Sequence, residues 1–379
     1  PPLVDLAAGI ATRGRDDADL ARVRDIYYRS RQLDLALGKA RGFDFEGLRL
    51  AVEDLERTFP GRYPGRYRAG LAELEAAVRT ALAKFEPASL PAFETMAKLQ
   101  TGLDALKREA LLANPLLDFE RLLVVKRKPL GDPRRSQWEA HGLGEFLGVP
   151  RQSSWNHGTM PNVDKWTNEI ALLSPLRPEG KLATLFAADR PGLVADIELN
   201  WDADKLLFSM PDKNKNWQVC EIQADGAGFR QLTPGIHPDV HNYDPSWLPN
   251  GEIIFLSTAP LQGVPCNAGV IVGMMYKMDR DGGNIRQLTF EQDHDYTPTV
   301  MNDGRVLYLR WDYTDTPHIW NRLLMTMNPD GTRQMSFYGA NSYWPNAFFY
   351  ARPIPDRPTK VVSIVTGHHE GRVGELVFL

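Results

Sequence analysis

A short pattern that recurs along the second half of the chain decides the fold. It reads DGAGFRQLT at Asp225–Thr233, DGGNIRQLT at Asp281–Thr289 and, two residues shorter, DGTRQMS at Asp330–Ser336. The Asp-Gly pairs lie 56 and 49 residues apart, which is the size of one four-stranded blade. Asp-Gly suits a tight hairpin, because Gly tolerates a positive φ and Asp bonds to the local backbone. Each copy is therefore predicted to be a hairpin between two strands of a blade.

The segments around these hairpins complete the repeat. About ten residues after each copy comes a Tyr-x-Pro motif, at Tyr243–Pro245, Tyr296–Pro298 and Tyr343–Pro345. In the first two repeats a further turn follows and leads into an apolar strand, and a degenerate earlier copy has its turn at Trp201–Asp204. This order predicts a mainly β fold, a β-propeller preceded by an α-helical N-terminal domain.

The visible copies supply about four blades, and Gly374–Leu379 resembles the opening strand of another. A propeller must close its ring to remove exposed sheet edges. We therefore expect an incomplete ring, which another protein chain or the remainder of a longer polypeptide completes.

The chain divides into three segments by composition. Residues 1–115 show helical periodicity with Gly and Pro breaks, which predicts a bundle of four helices that end near Gly38, Phe59, Phe85 and Leu112. Residues 116–167 are expected to form a linker and a long loop excursion with a first strand, and residues 168–379 the blades.

Charge and composition exclude several functions. The net charge of −4 provides no basic surface for a phosphate backbone, and no apolar run reaches the ~20 residues that span a bilayer. The start at Pro1–Asp5 lacks the pattern of a signal peptide, so the protein is either cytosolic or has lost its signal peptide. Cys220 and Cys266 allow one disulfide or two buried thiols, and they lack zinc-site spacing.

Superposing the repeats brings histidines together. His241, His294 and Asn341 occupy one position, each two residues before a tyrosine of the Tyr-x-Pro motif. Two imidazoles at one end of a channel, with His368 or His369 as further ligands, predict a site for a divalent metal ion. The alternative is a structural framework in which each His bonds to the neighbouring blade.

The densest polar cluster lies between the second and third copies of the repeat. Asp312, Asp315 and His318 are candidate acid and base catalysts, because carboxylates near an imidazole can exchange protons with a substrate. The alternative is a salt bridge with Arg310. The sequence has no Gly-x-Ser-x-Gly elbow, no phosphate-binding loop and no His-Glu-x-x-His pair.

The loops resemble one family. Asp244–Thr258, Arg310–Asp315 with His318, Asn328–Thr332, Asn341–Asn346 and Gly367–His369 are similar to the propeller domain of hydrazine synthase alpha subunits, a domain with TolB-type or WD40-like repeats. The resemblance covers Asn200–Leu379 and implies an exported protein, periplasmic or extracellular. The synthase carries c-type haem, but neither Cys220 nor Cys266 lies in the Cys-x-x-Cys-His motif that covalent attachment needs.

Two functional hypotheses follow. The first is a binding or scaffold module that engages a partner protein, a glycan or a small ligand through an aromatic surface; its candidate residues are Tyr243, Tyr296, Asn341, Tyr343, Trp344, Arg310 and Trp311. The second is a metal-dependent lyase, hydrolase or oxidoreductase that uses the channel histidines. Nucleic acid is not an expected partner.

Overall fold

A computed structural model describes residues 17–40, 43–84, 90–129, 166–189, 192–264, 267–312, 322–340, 347–366 and 374–379. The chain forms two compact units, one comprising Pro1–Arg121 with Pro175–Gly180 and the other Leu122–Ser174 with Lys181–Leu379.

The first unit contains the four predicted helices. They are α1 (Asp17–Ala40), α2 (Phe45–Thr58), α3 (Arg66–Ala83) and α4 (Leu90–Leu112). Asp44 caps α2 by accepting a hydrogen bond from the Gly47 amide at 2.9 Å, which satisfies an amide at the helix start. Leucines of three helices, among them Leu48, Leu71 and Leu103, form the core. No described helix carries an apolar stretch long enough to cross a bilayer.

The second unit is a β-propeller of five antiparallel blades. Blade 1 contains β1 (Leu122–Pro129), β2 (Trp166–Ser174) and β3 (Lys181–Ala187); blade 2 contains β4 (Ala195–Leu199), β5 (Lys205–Pro211), β6 (Trp217–Gln223) and β7 (Arg230–Gln231). Blade 3 contains β8 (Asn242–Trp247), β9 (Ile253–Ser257), β12 (Met274–Met278) and β13 (Arg286–Gln287), with a separate hairpin of β10 (Gly263–Val264) and β11 (Asn267–Ile271) inserted. Blade 4 contains β14 (Asp295–Val300), β15 (Val306–Trp311), β16 (Arg322–Met327) and β17 (Met335–Tyr338); blade 5 contains β18 (Phe348–Ile354), β19 (Arg357–Val365) and β20 (Glu375–Phe378). The mainly β fold with a helical N-terminal region is thus confirmed.

The last strand differs from the expectation. Gly374–Leu379 was expected to open another blade, but β20 pairs with β19 and completes a three-stranded fifth blade. Backbone hydrogen bonds extend the pairing to the end, since the amide of Leu379 donates to the carbonyl of Val361 at 2.9 Å. Val377 and Leu379 also pack on the core of blades 4 and 5. Burial of these alternate side chains explains the pairing.

Two glycine contacts explain the Asp-Gly part of the repeat. Gly282 and Gly331 have φ values of +94° and +87°, which side chains rarely tolerate. A Cβ on Gly282 would lie 2.6 Å from the carbonyl oxygen of Leu232 in the preceding blade, and one on Gly331 would lie 3.1 Å from that of Leu288. Each hairpin therefore packs on the outer part of the blade before it.

The Arg-Gln-Leu-Thr part of the repeat closes each blade. The side-chain amides of Gln231 and Gln287 each donate to the carbonyl of the Thr two residues later, at 2.7 Å. The hydroxyl of Thr233 accepts from the Val219 amide at 3.0 Å, and that of Thr289 accepts from the Met275 amide at 2.9 Å. The Thr hydroxyls of the repeat thus accept hydrogen bonds from buried backbone amides of the third strand, beyond the point where the short fourth strand ends.

The innermost strands share a bulge. Asp196, Asp244, Thr297 and Tyr350 all have positive φ values, and the strand register shifts at each of them. These residues lie in β4, β8, β14 and β18, which are the first strands of blades 2 to 5. Strand β1 pairs with β2 without such a shift. Among the described residues, blade 1 therefore lacks an equivalent of this inner strand, and blade 5 lacks a fourth, outer strand.

Candidate functional site

Two of the three described histidines, His241 and His294, connect neighbouring blades. His241 and His294 each precede an inner strand, and their carbonyls accept from the amides of Thr258 and Trp311 at 3.0 and 2.9 Å. Their side chains reach the preceding blade: Nδ1 of His241 accepts from the Trp217 amide at 3.1 Å, and Nδ1 of His294 accepts from the Gly273 amide at 2.9 Å. This geometry agrees with a structural role, in which each histidine bonds to the neighbouring blade, and not with the predicted metal site.

These bonds determine the tautomer. A backbone amide is always a donor, so Nδ1 is the acceptor and the proton of the neutral ring lies on Nε2. Burial lowers the pKa of His241, against the opposing effect of Asp212 and Asp239, which favours the neutral form. A metal ion could take a lone pair from either ring only after the inter-blade bond is broken.

The remaining predicted metal ligands, His368 and His369, lie outside the described residues, and so does Asn341 of the predicted binding surface. Within the described ranges, no three His, Cys, Asp or Glu side chains are grouped so that they could hold a metal ion. Cys220 is a buried free thiol whose pKa burial raises to about 12, and Cys266 is not described.

The aromatic residues predicted for a binding surface are buried where they are described. Tyr243, Tyr296 and Trp311 lie between blades, and the ring centroids of Tyr296 and His294 are 5.1 Å apart. A Cβ on Gly273 would lie 2.1 Å from the Tyr243 hydroxyl oxygen, so only glycine fits there. Tyr343 and Trp344 lie outside the described residues. The described aromatic side chains contribute to packing between blades.

Arg310 forms salt bridges, but among the described residues its partners are Asp295 and Glu291 and not Asp312 of the predicted cluster. Its Nε lies 3.1 Å from Asp295 Oδ1 and its Nη1 lies 3.0 Å from Glu291 Oε1. Its Nη2 donates to Gln334 Oε1 at 2.8 Å. Burial raises the pKa of Asp312, the described member of the predicted catalytic set; Asp315 and His318 are not described.

Asp295 is the most perturbed carboxyl of this cluster. It is fully buried, it accepts from the Thr289 hydroxyl at 2.5 Å, and burial raises its pKa to about 6 although Arg310 lowers it. Sequence reasoning missed both Asp295 and Glu291. The one signal for Asp295 is its register position opposite Arg310 on the neighbouring strand, which emerges only when β14 and β15 are paired.

Arg322 is a second buried arginine that the sequence did not reveal. Its guanidinium lies over the Trp311 ring, 4.7 Å from the centroid, and the ring of His294 stacks on Trp311 at 6.5 Å with an angle of 7°. Cation–π contacts of this kind strengthen when they are desolvated. The stack fixes the end of β15 next to the inter-blade histidine.

A polar network joins the inner strands. The amide of Asp244 donates to Asp196 Oδ2 at 3.2 Å, and the amide of Thr297 donates to Asp244 Oδ2 at 2.9 Å. Arg352 on β18 lies 3.1 Å from Glu198 Oε2 on β4 and donates to Thr299 at 2.7 Å, so it links blade 5 with blades 2 and 4. Burial raises the pKa of Glu198, and Arg352 opposes that effect. The bulges position these groups.

Among the described residues, blade 5 leaves one face of its sheet uncovered. Strands β19 and β20 of blade 5 point Val361, Val365, Val377 and Leu379 toward blade 4. Alternate side chains therefore point away from blade 4. We call this the forward face of blade 5; it contains Val362, Ile364, Leu376 and Phe378. Leu376 and Phe378 are 68% and 71% exposed.

Blade 1 has a corresponding exposed surface. Leu123 and Ile170 pack toward blade 2. The opposite side, which we call the rear face of blade 1, contains Leu122, Val124, Leu173 and Leu182. Leu182 is 52% exposed, and an ion pair between Lys126 and Glu169 lies on the same side. In this structure the forward face of blade 5 and the rear face of blade 1 do not bury each other.

In the described part of the chain, fold and site together define a β-propeller in which His241 and His294 join blades and blades 1 and 5 expose apolar sheet faces. No family model and no curated protein matches the chain. Among solved structures, hydrazine synthase from Kuenenia stuttgartiensis matches with a TM-score of 0.53 and 16% identity, over 69% of this chain. That match spans 37% of the synthase chain, and it shows the fold.

Two further structures match over part of the chain. A putative TolB from Agrobacterium tumefaciens has a TM-score of 0.41 and 14% identity, over 56% of this chain and 75% of its own. An oligogalacturonate lyase in complex with manganese has a TM-score of 0.40 and 12% identity, over 69% of this chain and 62% of its own.

Proposed function

We propose that this protein is an exported β-propeller that serves as a binding or scaffold module within a larger protein or complex. The forward face of blade 5 carries the proposal, since it leaves two large apolar side chains in water. Burying a Leu or Phe side chain of this exposure is worth roughly 1–2 kcal/mol, so covering the face is favourable. Contiguous exposed apolar surface of this kind marks interaction sites.

The partner is proposed to be β-structure that extends the propeller. In blades 2, 3 and 4 the corresponding surfaces are fully buried against the next blade; their residues include Leu207, Val219, Leu256, Met275, Leu307 and Leu324. Within the described ranges, blade 5 has neither this cover nor a fourth strand. A sheet with an apolar rear face, from another chain or from a longer polypeptide, would cover the forward face and supply the neighbouring strands. A glycan would not bury the apolar side chains of this face.

The forward face does not bear on export or on the alternative hypothesis of a metal-dependent enzyme. Export to the periplasm or beyond is supported by the resemblance of the repeat loops to hydrazine synthase alpha subunits. The other hypothesis, a metal-dependent enzyme, draws no support from His241 or His294, because both Nδ1 atoms are engaged by backbone amides. Metal binding through His368 and His369 stays a prediction.

Photo-cross-linking in the source organism tests the proposal. A benzophenone amino acid replaces Phe378 on the forward face or, as a control, Phe290, which is 76% exposed on blade 3. We expect position 378 to form one discrete cross-linked product and position 290 to form none. Equal products at both positions, or none at either, would exclude a specific partner at blade 5.

A further inference from the structure

The junctions between blades show what fits the forward face of blade 5. Where blades 3 and 4 meet, Ile254, Leu256 and Met275 pack against Val306 and Tyr308. Where blades 4 and 5 meet, the contact joins leucines of β15 and β16 to apolar residues of β18 and β19. In each case an apolar forward face meets the apolar rear face of the next blade. The natural complement of a forward face is therefore a rear face.

The described chain exposes one such rear face, that of blade 1. Leu173 pairs with Leu122 on one side and Leu182 on the other, so the three leucines form a row across the sheet. Leu182 and Leu122 are exposed. The same chain does not cover them with its own blade 5, because Leu376 and Phe378 are also exposed.

We infer that two copies of this chain associate head to tail, with the forward face of blade 5 of one copy on the rear face of blade 1 of the other. The contact repeats the interface already present between consecutive blades, and it rests on the proposed function of the forward face. Because the two surfaces differ, the contact is heterologous, and it closes into a ring or extends into longer assemblies. A copy whose rear face is blocked can still offer its forward face.

This asymmetry makes a decisive test possible. The forward-face variant carries Leu376→Glu and Phe378→Glu, and the rear-face variant carries Leu182→Glu; these side chains are exposed, so the fold should tolerate the changes. Phe290→Glu is the matched control, an equally exposed apolar residue away from both faces. Each purified full chain is examined by sedimentation velocity over a wide range of concentration, and circular dichroism verifies folding.

We expect the unmodified chain and the Phe290→Glu control to grow in mass with concentration, and each face variant alone to stay monomeric. An equimolar mixture of the two face variants should form a dimer and nothing larger, because one intact face of each kind remains. A monomeric unmodified chain would overturn the inference, and so would a rear-face variant that still dimerises alone. If the unmodified chain is monomeric but position 378 cross-links to another polypeptide in the source organism, the proposed function stands without self-association.

Discussion

At the residue scale, several polar side chains in this propeller satisfy backbone groups of a neighbouring blade. His241 and His294 do so through Nδ1, and Asp196 and Asp244 do so through their carboxylates. The repeat positions of the histidines could be read from the sequence. Their partners, the amides of Trp217 and Gly273, could not, because contacts between blades depend on how the blades pack.

The inter-blade role of the histidines predicts a loss of stability without a loss of metal. His241→Ala leaves the Trp217 amide without its acceptor, which should lower the free energy of unfolding by about 1–3 kcal/mol. His237→Ala is the control, because the His237 side chain is exposed and only its carbonyl accepts a hydrogen bond. Urea titration and metal analysis measure both effects. A stable variant that loses bound metal would favour the metal site instead.

The close approach of Tyr243 to Gly273 gives a coupled pair. Gly273→Ala places a methyl group 2.1 Å from the tyrosine hydroxyl, and such overpacking should cost about 1–3 kcal/mol. Tyr243→Phe removes the oxygen and leaves Cζ at 3.1 Å from that position. The double variant should therefore lose less stability than the sum of the single changes. Strict additivity in urea titrations would show that the two residues do not touch.

The buried carboxyl of Asp295 predicts an unusual pH dependence. Its folded pKa, about 6, lies above the ordinary value of 3.8, so the folded state binds the proton more tightly than the unfolded state does. Its contribution to stability is complete below about pH 4 and is lost as the pH rises through 6. The stability advantage of the unmodified chain over Asp295→Asn should therefore shrink over this window, by on the order of 1–3 kcal/mol. Urea titrations across the window measure it, and a constant difference would contradict the assignment.

At the element scale, the recurring Asp-Gly and Arg-Gln-Leu-Thr segments were sufficient to predict blades, and each part now has a physical role. The sequence did not reveal that β20 belongs to blade 5, because strand register depends on which side chains the neighbouring blade buries. It also did not reveal which carboxylates pair with Arg310. The partners Asp295 and Glu291 lie 15 and 19 residues earlier in the chain.

The packing of each hairpin on the preceding blade can be separated from the strain of the turn. Gly282 and Gly251 both have a positive φ, but only Gly282 faces a carbonyl oxygen, that of Leu232; a Cβ on Gly251 would meet nothing within 4 Å. Gly251→Ala should cost about 1 kcal/mol from backbone strain alone. Gly282→Ala should cost about 1–3 kcal/mol more, because the hairpin must also move away from blade 2. If the two variants lose equal stability in thermal and urea unfolding, the hairpin does not pack against the neighbouring blade.

At the scale of the whole molecule, the sequence predicted an incomplete propeller, and the structure describes five blades with an uncovered face at each end. The residues that make those faces, such as Leu376 and Leu182, are ordinary apolar strand residues. Only the burial of their counterparts in blades 2 to 4 distinguishes them. The forward face of blade 5 is consequently the feature on which the proposed binding function depends.

Solvent access at blade 5 tests that function most directly. Leu376→Cys and the control Phe290→Cys introduce thiols at exposed positions, while Cys220 is buried and protonated. The rate of reaction with a thiol reagent is compared between the dilute purified chain and the native assembly in the source organism. The account predicts that the thiol at position 376 reacts in the purified chain and is protected in the assembly, and that the thiol at position 290 reacts in both. Equal reaction of the thiol at position 376 in both states would contradict it.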